Sequence, residues 1–538
     1  MTTRKKIVIV GAGMAGLTAA AYLAREKNFS VLLLDKNDRT GGLLNTFETN
    51  GFFFDSGPRA FVNSGIVKPM LKDLGINWDF LENKISIGIE DELFCVDSME
   101  AAEEYKGVLC KLYPENIEDI EKIISIIYKL SEYTKVLYEF DNPNFIDLKS
   151  NKKFIFRELI PWTFKFLNAL RKLNQFSMPM EECLDGLTDN QSLIDILTQL
   201  FFRQTPAYFA LGYFYVYLDY FYPKGGTVAL ANVLKEKILA WGGEIKLNTQ
   251  VVEVNPSEST VRDAEGNLYN YDQLIWAADL KTLYRNLNPA GMDAKLTHNI
   301  ESERRRLFSA KGAESVFILF VAVDRAPSYF QANGGEHMFY TPSKKGLGET
   351  IRGERQSLIE DFENKSRDDI LAWLDKFCYL NTYEVSVPVL RDPTLAPEGQ
   401  TGLMISCLFD YDIIKKIEDG GWYGEFKEIL ENRIISIFSE TIYKGFDDDI
   451  LFKYSSTPLT INKVSGSSEG AITGWSFETK IPVANKLKDI PNSVLTPIPG
   501  VFQAGQWAYA PAGVPIAMLT GWYATQKIIE RTKRYGNS

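Results

Sequence analysis

A four-residue apolar run followed by three closely spaced glycines constrains the fold of this 538-residue chain more than any other feature. The run extends from Ile7 to Val10, the glycines lie in GAGMAG over residues 11–16, and small residues continue to Ala24. A short apolar run that ends at glycine is typical of a buried strand, and the small-residue stretch is typical of a helix packed closely on it. The segment therefore predicts a strand, a tight turn and a helix.

The glycines have the spacing of a turn that binds a dinucleotide. Gly11 suits the tight turn, Gly13 leaves room for a pyrophosphate beside the backbone, and Gly16 allows the helix to pack on the strand. The helix N-terminus would face the phosphates with its partial positive charge. A second apolar run over residues 31–34 ends at Asp35, where a carboxylate can bind ribose hydroxyls. This combination predicts one dinucleotide site and fits NAD and FAD equally well.

Two glycine-containing turns that follow favour FAD. They are DKNDRTGGLL over residues 35–44 and GFFFDSGPRAF over residues 51–61. Both resemble the N-terminal signature of flavoproteins of the amine oxidase and phytoene desaturase superfamily. In that superfamily the Arg-x-Gly-Gly turn lies along the cofactor, and the Asp-x-Gly-Pro turn brings backbone close to the flavin ring. The resemblance therefore implies FAD as the cofactor.

Three later segments resemble further parts of the same flavoproteins. They are residues 222–254, with a Pro-x-Gly-Gly turn and a helix; residues 271–279, with a strand; and residues 499–528, with a strand, a glycine turn and a helix whose N-terminus faces the flavin. The last segment departs from the pattern at two positions. Gln506 stands where many relatives carry Asp, and Ala512 stands where many carry Gly.

The resemblance also implies which residues contact FAD. Most are backbone positions in the glycine turns, at strand ends and at two helix N-termini. The implied set is Gly11, Gly13, Met14, Ala15, Gly16, Asp35, Lys36, Arg39, Gly41, Gly42, Leu43, Gly57, Pro58, Arg59, Val251, Ala277, Gly505, Gln506, Val514, Pro515 and Ala517.

The separated motifs predict an α/β protein with a Rossmann-like, glutathione-reductase-like FAD-binding domain that is assembled from discontinuous segments. We expect this domain to contain residues 1–80, 220–290 and 480–538, and a mixed α+β substrate-binding domain, including a helical part, to contain residues 81–219 and 291–479. The expected elements of the second domain are strands at 315–323 and 402–409 and helices at about 114–139, 355–377 and 423–442.

One further segment narrows the expected activity. STPLTINKVSGSSEGAITGW, over residues 456–475, resembles phytoene desaturases and carotenoid isomerases. The resemblance implies an FAD-dependent oxidoreductase that desaturates, isomerises or saturates carbon–carbon bonds of a carotenoid-like or retinoid-like isoprenoid polyene, or of another long unsaturated lipid. An amine-oxidase-like or protoporphyrinogen-oxidase-like enzyme is one alternative, and a non-catalytic prenyl-binding protein similar to GDP dissociation inhibitors is another. The electron donor or acceptor stays open.

An aromatic stretch precedes the Pro-x-Gly-Gly turn. YFALGYFYVYLDYFY, over residues 208–222, contains nine Tyr and Phe residues. It could form the wall of a long apolar tunnel that ends at the flavin, or an aromatic core helix, and both can hold. Tyr222 and Lys224 are candidate catalytic residues near the reacting carbon. Lys224 could stabilise negative charge there, and a solvated lysine is the alternative.

Charge and composition disfavour two other classes of protein. The net charge of −11 and the pI of about 5.1 argue against a nucleic-acid partner, because phosphate contacts need clustered Lys and Arg. Five dispersed cysteines form no Cys-x-x-Cys pair, and the two histidines are His298 and His337, so no metal site is predicted. The cysteine pattern favours a reducing cytoplasm.

One basic segment stands out in this acidic chain. Residues 149–174 interleave Lys and Arg with aromatic residues. Such a segment could lie on an anionic bilayer surface and admit a lipid, or it could be an ordinary helix whose lysines extend from a buried face. The sequence has no apolar run of about 18 residues, so no transmembrane helix is expected. We expect a cytoplasmic protein, with peripheral membrane contact through this segment as an open expectation.

Overall fold

The structure is a computed structural model that describes residues 4–146, 152–348 and 350–536. Short and long strands alternate with helices along the chain. The strands are β1 (Lys5–Val10), β2 (Phe29–Leu34), β3 (Thr46–Thr49), β4 (Phe52–Asp55), β5 (Phe61–Val62), β6 (Phe80–Glu82), β7 (Ile85–Ile89), β8 (Glu92–Val96), β9 (Tyr220–Pro223), β10 (Glu244–Lys246), β11 (Val251–Asn255), β12 (Thr260–Asp263), β13 (Leu268–Asn270), β14 (Gln273–Trp276), β15 (Ser315–Val323), β16 (His337–Thr341), β17 (Tyr383–Ser386), β18 (Thr401–Phe409), β19 (Ile450–Ser456) and β20 (Val501–Gln503).

The helices range from one turn to six turns. A π-helical turn over Ile155–Leu159 joins the fifth helix to the sixth. The α-helices are α1 (Met14–Arg25), α2 (Val67–Asp73), α3 (Ala101–Leu112), α4 (Ile117–Tyr138), α5 (Lys152–Phe154), α6 (Ile160–Leu173), α7 (Met180–Asp185), α8 (Gln191–Thr198), α9 (Ala207–Val216), α10 (Ala229–Ala240), α11 (Leu280–Arg285), α12 (Ala294–Phe308), α13 (Pro327–Ala332), α14 (Arg355–Glu360), α15 (Arg367–Leu380), α16 (Tyr411–Asp419), α17 (Tyr423–Glu440), α18 (Pro458–Ser465), α19 (Ile490–Ser493) and α20 (Val514–Gly536).

Five strands from distant parts of the chain form one parallel sheet. Its order is β10-β2-β1-β14-β20, which places the N-terminal strand at the centre. Parallel strands need crossover connections, and helices cover the faces of such a sheet, which explains why its motifs are so far apart in the sequence. The predicted α/β fold with a Rossmann-like sheet is confirmed. The boundaries given for the two domains stay a prediction.

Small residues allow α1 to pack closely between the sheet, α10 and α20. A side chain on Gly16 would lie 1.9 Å from the carbonyl oxygen of Gly11, and one on Gly521 would lie 2.3 Å from that of Ala15. Both positions therefore require glycine. The opposite face of the sheet packs on β11, β12 and α11. The helix predicted after the glycine turn is thus present as α1, and it packs on the parallel sheet directly after the central strand β1.

A second sheet has seven strands in the order β19-β15-β18-β17-β16-β7-β8. Neighbouring strands are antiparallel except for β16 and β7. The strands expected at 315–323 and 402–409 are β15 and β18, which pair along their whole length. One face of the sheet packs on α15 and α17. We call the opposite face the inner face.

The inner face meets both the hairpin β3–β4 and the helical part of the molecule. Phe52 and Phe54 of the hairpin pack on Phe320 and Met404 of the sheet. Farther along the sheet, Phe339 packs in the same cluster as α4 and α9. The hairpin leads directly into the Asp-x-Gly-Pro turn. The inner face, α9 and this turn therefore surround one region of the protein.

One predicted helix is wrong in extent. The helix expected over 355–377 is divided into α14 and α15. The break lies at Ser366, whose hydroxyl accepts the backbone N–H of Asp369 while the Asp369 carboxylate accepts the backbone N–H of Ser366. This capping box begins a new helix. The helices expected at 114–139 and 423–442 are present as α4 and α17.

The aromatic stretch over residues 208–222 changes structure half way. α9 ends at Val216, and β9 begins at Tyr220 and pairs with β5 and β6. The first half packs on α4, and the second half contacts Asp55 at the end of β4. The stretch is therefore not a single core helix, and both halves lie close to the inner face.

We expect Phe54→Ala to lower the free energy of unfolding by about 3–5 kcal/mol, because this fully buried ring contacts Phe47, Phe320 and Tyr454. Leu268→Ala, at an exposed position on β13, is the control and should leave stability unchanged. Denaturant unfolding followed by tryptophan fluorescence measures both variants. Equal midpoints for Phe54→Ala and the wild type would show that the hairpin does not depend on this contact.

Candidate active site

The N-terminus of α1 opens onto a cradle formed by glycines. Gly13 is the N-cap residue of α1, and among the described residues no side chain caps its first turn. A methyl group on Gly13 would meet only Gly42, whose Cα would lie 4.0 Å away. The N–H groups of Met14 and Ala15 belong to the first turn, where an α-helix has no internal partners for them. These groups and the open space suit a pyrophosphate.

Asp35 follows β2 and faces the glycine turn. Its Oδ2 accepts the backbone N–H of Ala12 at 2.6 Å, and its Oδ1 accepts that of Asn37 at 2.8 Å. Each carboxylate oxygen keeps another acceptor site, so ribose hydroxyls can also bind. Burial raises the pKa of Asp35 above its ordinary value, and the two backbone hydrogen bonds oppose that shift.

The turn over residues 39–44 forms a second wall of the cradle. Gly41 donates its backbone N–H to the carbonyl of Ala12 at 2.8 Å. Its φ of 119° lies in the region that favours glycine, and a side chain there would lie 2.1 Å from the carbonyl oxygen of Leu44. Gly42 lies against Gly13, as the predicted Gly-Gly turn requires.

Two predicted contact residues direct their side chains away from the cradle. The exposed Arg39 guanidinium donates from Nε to Asp38 at 2.8 Å. Lys36 donates from Nζ to the carbonyl of Lys463 at 2.9 Å and so joins the end of β2 to α18. Contacts between these side chains and a cofactor stay predictions.

Asp55 anchors the Asp-x-Gly-Pro turn. Its fully buried carboxylate accepts the hydroxyls of Thr46 and Tyr222 at 2.6 Å each, and the N–H and hydroxyl of Thr227 at 2.9 Å each. Three of these bonds end on Oδ1 and the fourth, from Tyr222, ends on Oδ2, so both carboxylate oxygens are hydrogen-bonded. Because Tyr222 and Thr227 flank the Pro-x-Gly-Gly turn, Asp55 joins two predicted motifs that lie 167 residues apart.

The turn after Asp55 is packed from one side and accessible from the other. A side chain on Gly57 would lie 1.8 Å from the carbonyl oxygen of Leu43, yet Gly57 and Pro58 are only half-buried. The buried Arg59 side chain donates to the carbonyls of Asp55 and Gly57. Arg59 therefore stabilises the turn, and the turn keeps accessible backbone for a ligand.

The C-terminal motif reaches the cradle next to α1. Gly505 has a φ of 96°, and a side chain there would lie 3.4 Å from the Cβ of Ala15. The N–H of Gly505 donates to the hydroxyl of Thr520 at 2.9 Å, which ties this turn to α20. The first-turn residues of α20 that the sequence assigned to the cofactor are half-buried, and they are Val514, Pro515 and Ala517.

Three predicted positions remain, two that follow strands of the parallel sheet and one in the separate sheet β11-β12-β13. Ala277 follows β14 and donates its N–H to Val10 at 2.8 Å. Val251 begins β11, and its carbonyl accepts the side-chain amide of Asn286 at 3.1 Å. The half-buried Gln506 side chain approaches the segment over residues 466–474. Their contacts with a cofactor stay predictions.

The residues present fit FAD. A dinucleotide with a flavin ring requires space for its pyrophosphate, an acceptor for its ribose and accessible backbone for its ring. The site offers open space before α1, the Asp35 carboxylate at the end of β2, the Gly-Gly wall and the accessible Gly57–Pro58 backbone. These features define the protein as a flavoprotein with a Rossmann-like nucleotide-binding domain. The family model described as flavin containing amine oxidoreductase matches residues 14–370. The chain belongs to this family and is an FAD-dependent oxidoreductase, as predicted.

Similar proteins include carotenoid desaturases and oxygenases, and the predicted resemblance to phytoene desaturases is confirmed. The 4,4'-diaponeurosporene oxygenase of Staphylococcus haemolyticus is 24% identical over 98% of this chain and 97% of its own. A 4,4'-diapophytoene desaturase of Staphylococcus aureus is 21% identical over 98% of this chain and 99% of its own. The 4,4'-diapolycopene oxygenase of a Methylomonas species is 26% identical over 60% of this chain and 63% of its own.

Solved structures with the same fold include enzymes of other activities. Putrescine oxidase bound to putrescine is 14% identical, with a TM-score of 0.59 over 98% of this chain and all of the other. Reduced UDP-galactopyranose mutase is 14% identical, with a TM-score of 0.52 over 98% of this chain and 96% of the other. At these identities the likeness shows the fold alone.

The two candidate catalytic residues lie in different surroundings. Tyr222 is fully buried, donates to Asp55, and has the Arg391 guanidinium 4.0 Å from its ring centroid. Burial, with the Asp55 charge, holds the pKa of Tyr222 well above its ordinary value. Lys224 is exposed at the Pro-x-Gly-Gly turn. Their catalytic roles stay predictions.

A polar cluster on the inner face was not predicted from the sequence. Its members are Asn83, His337, Glu384, Ser386, Arg391 and Ser406, which come from β16, β17, β18 and the loops beside them. They are spread over more than 300 residues, so no local spacing relates them. The one available signal is that His337, one of two histidines, precedes an apolar strand.

We expect Gly13→Ala to weaken FAD binding by about tenfold or more while leaving the stability of the apoprotein nearly unchanged, because the added methyl group meets open space that the pyrophosphate would fill. Gly16→Ala is the matched contrast, and it should fail to fold because its methyl group would lie 1.9 Å from a backbone oxygen. Titration of each apoprotein with FAD and thermal unfolding make the comparison. Wild-type FAD affinity in Gly13→Ala would contradict this placement of the pyrophosphate.

Proposed function

We propose that the protein oxidises carbon–carbon bonds of an isoprenoid polyene or another long unsaturated lipid. The observation that carries the proposal is an aromatic layer formed by tyrosines of residues 213–220 and by Phe339 of the inner face. Ring centroids lie 5.2 Å apart for Tyr213 and Tyr217, 5.9 Å for Tyr217 and Tyr220, and 5.6 Å for Tyr217 and Phe339. Such rings supply rigid apolar contact to a flat, extended substrate.

Bound FAD would supply the redox chemistry by accepting a hydride from an allylic carbon. The chain itself would orient the polyene and exclude water. The Asp55 network fixes the turn next to the flavin position, and the aromatic layer keeps the neighbouring space apolar. Tyr222 then acts as a positioning residue for the turn, and Lys224 lies in solvent.

The named relatives support this choice of substrate class. Two of them are oxygenases and one is a desaturase, and all three carry carotenoid names. Oxygenation differs from the three predicted reactions, which are desaturation, isomerisation and saturation. The amine-oxidase-like alternative also fits the family, so the test must separate polyenes from amines.

We expect 4,4'-diapophytoene or 4,4'-diaponeurosporene in liposomes to reduce the flavin of the anaerobic holoenzyme, since an allylic hydride can be transferred to it. Stopped-flow absorbance follows the loss of the oxidised flavin band, and chromatography identifies the product. Putrescine is the matched amine probe and should leave the flavin oxidised. Reduction by putrescine and not by either polyene would refute the proposed function in favour of an amine oxidase.

We also propose that α6, together with the π-helical turn before it, contacts an anionic membrane surface. Large apolar side chains recur at helical spacing and are exposed, including Phe156 at 71% and Phe164 at 72%, with Ile160 and Leu167 beside them. Residues 149–151 of the predicted segment lie outside the described residues. No helix within the described parts of the chain is long and apolar enough to cross a bilayer.

Charge supports an anionic membrane as the partner of this apolar face. The exposed cations on the same helical segment are Lys153, Arg157, Lys165 and Arg171, against the single acid Glu158, in a chain with net charge −11. Cations beside an exposed apolar stripe suit a surface that offers anionic headgroups above acyl chains. Trp162 anchors the helix from its buried side by donating to the carbonyl of Val136 at 2.9 Å.

We expect Phe156→Asp/Phe164→Asp to reduce binding to phosphatidylglycerol-containing vesicles by about tenfold or more, because two apolar contacts are lost and two like charges are added. Leu268→Asp, at a position 62% exposed on β13, controls for the added charge. Vesicle flotation at low and high salt measures binding. The membrane contact would be contradicted if the double variant floated with vesicles as well as the wild type does, or if the wild type did not float with them.

A further inference from the structure

Glu384 is a charged residue in the middle of the inner face. It lies on the central strand β17, opposite Ser406 of β18 and Phe339 of β16. Its neighbours along the strand, Tyr383 and Val385, are buried against α15 and α17. The Glu384 side chain nevertheless keeps 33% of its accessible surface. That surface must open on the inner side, toward the aromatic layer.

The hydrogen bonds around Glu384 determine where the protons lie. The Arg391 guanidinium can only donate, so Asn83 accepts from it with Oδ1 and turns its NH₂ group toward His337. Nδ1 of His337 is then the acceptor, at 3.1 Å, and Nε2 carries the proton. Nε2 donates to Oε1 of Glu384 at 3.0 Å, and the hydroxyl of Ser406 donates to Oε2 at 3.3 Å. Glu384 is thus held as an acceptor.

Electrostatics supports the same protonation states. Burial raises the pKa of Glu384, but the hydrogen bond from His337 and the nearby Arg59 guanidinium outweigh it and hold the pKa below its ordinary value. Burial lowers the pKa of His337, although Glu384 opposes that shift. At neutral pH the pair therefore consists of a carboxylate and a neutral imidazole.

The cluster is joined to the flavin side of the site. Arg391 also donates to the carbonyl of Arg59 at 3.1 Å, directly after the Gly57–Pro58 turn. The rings of Tyr220 and Phe339 lie 5.9 Å and 5.4 Å from the His337 ring. Glu384 is therefore an anion that faces apolar rings beside the position proposed for the flavin ring.

We infer that Glu384 is a catalytic residue, the carboxylate that stabilises a substrate cation and accepts the proton that completes desaturation. The inference rests on the proposed function. One allylic C–H bond breaks and its hydride, with both electrons, goes to FAD, which is reduced. The adjacent C–H bond then breaks, its proton goes to a Glu384 oxygen, and its electron pair forms the new C=C bond. The substrate loses two hydrogens and two electrons.

A carboxylate of low pKa is adequate for this role. A C–H bond next to a carbocation is a very strong acid, so a weak base can accept its proton. An anion in a site that excludes water stabilises the preceding positive charge far more than it would in water. The half-buried ring of Tyr220 adds cation–π attraction. His337 positions the carboxylate and donates one hydrogen bond to it.

Glu431 provides a matched control. It is a carboxylate of α17 that accepts the hydroxyl of Ser455 at 2.6 Å on the other side of the same sheet. Its side chain keeps only 10% of its accessible surface, so it has no open side comparable with that of Glu384. Glu431→Gln therefore replaces a carboxylate by an amide, as Glu384→Gln does, at a position away from the proposed substrate.

The first test measures cation binding and requires no turnover. Holoenzyme is titrated with N,N-dimethyldodecylammonium and with 2-methyltetradecane, its neutral isostere, and the flavin absorption spectrum reports binding. We expect the wild type to prefer the cation by about tenfold or more, Glu384→Gln to lose that preference, and Glu384→Asp and Glu431→Gln to keep it. No preference in the wild type, or an unchanged one in Glu384→Gln, would overturn the inference.

The second test uses the polyene that reduces the wild-type flavin. We expect Glu384→Gln to slow reduction by about a hundredfold or more with little change in KM, Glu384→Asp to recover part of the rate, and Glu431→Gln to match the wild type. Equal rates in the Glu384→Gln and Glu431→Gln variants would overturn the role. If no polyene reduces the flavin of the wild-type enzyme, the proposed function is refuted instead. The ammonium titration would still decide whether Glu384 binds a cation.

Discussion

The buried carboxylate of Asp55 is the interaction on which the rest of the site depends. It ends the hairpin β3–β4 and accepts four hydrogen bonds, from Thr46 within the hairpin and from Tyr222 and Thr227 beside the Pro-x-Gly-Gly turn. A buried carboxylate that lost such partners would cost several kcal/mol, so the two turns are held in one arrangement. The hairpin in turn packs on the seven-stranded sheet, which ties the nucleotide-binding sheet to the inner face.

The inner face combines buried charged groups with an apolar aromatic surface. The buried guanidinium groups of Arg59 and Arg391 are close to the carboxylates of Asp55 and Glu384, and Asn83 and Ser386 satisfy further donors. Buried charges persist where they are paired and hydrogen-bonded. The surrounding rings lower the polarity of the neighbouring space, which strengthens the electrostatic interactions there. The proposed stabilisation of positive charge on a hydrocarbon would use this combination.

Much of the nucleotide-binding half could be predicted because its signals are local. The glycine turn, the strand before it and Asp35 lie within 30 residues, and backbone sterics at Gly11 and Gly16 leave little choice of residue. Long strands such as β15 can also be predicted from their apolar runs. The break between α14 and α15 was missed, because a capping box at Ser366 outweighs the helical pattern around it.

The sequence by itself determined the cofactor class, the order of the turns and the strands that build the parallel sheet, since each follows from steric requirements over a few neighbouring residues. Only the tertiary structure decided which distant side chains meet. It buried Tyr222 against Asp55, left Lys224 in solvent and placed His337 beside Glu384. Those pairings depend on strand register and on how one sheet face packs against a hairpin, and no local spacing encodes either.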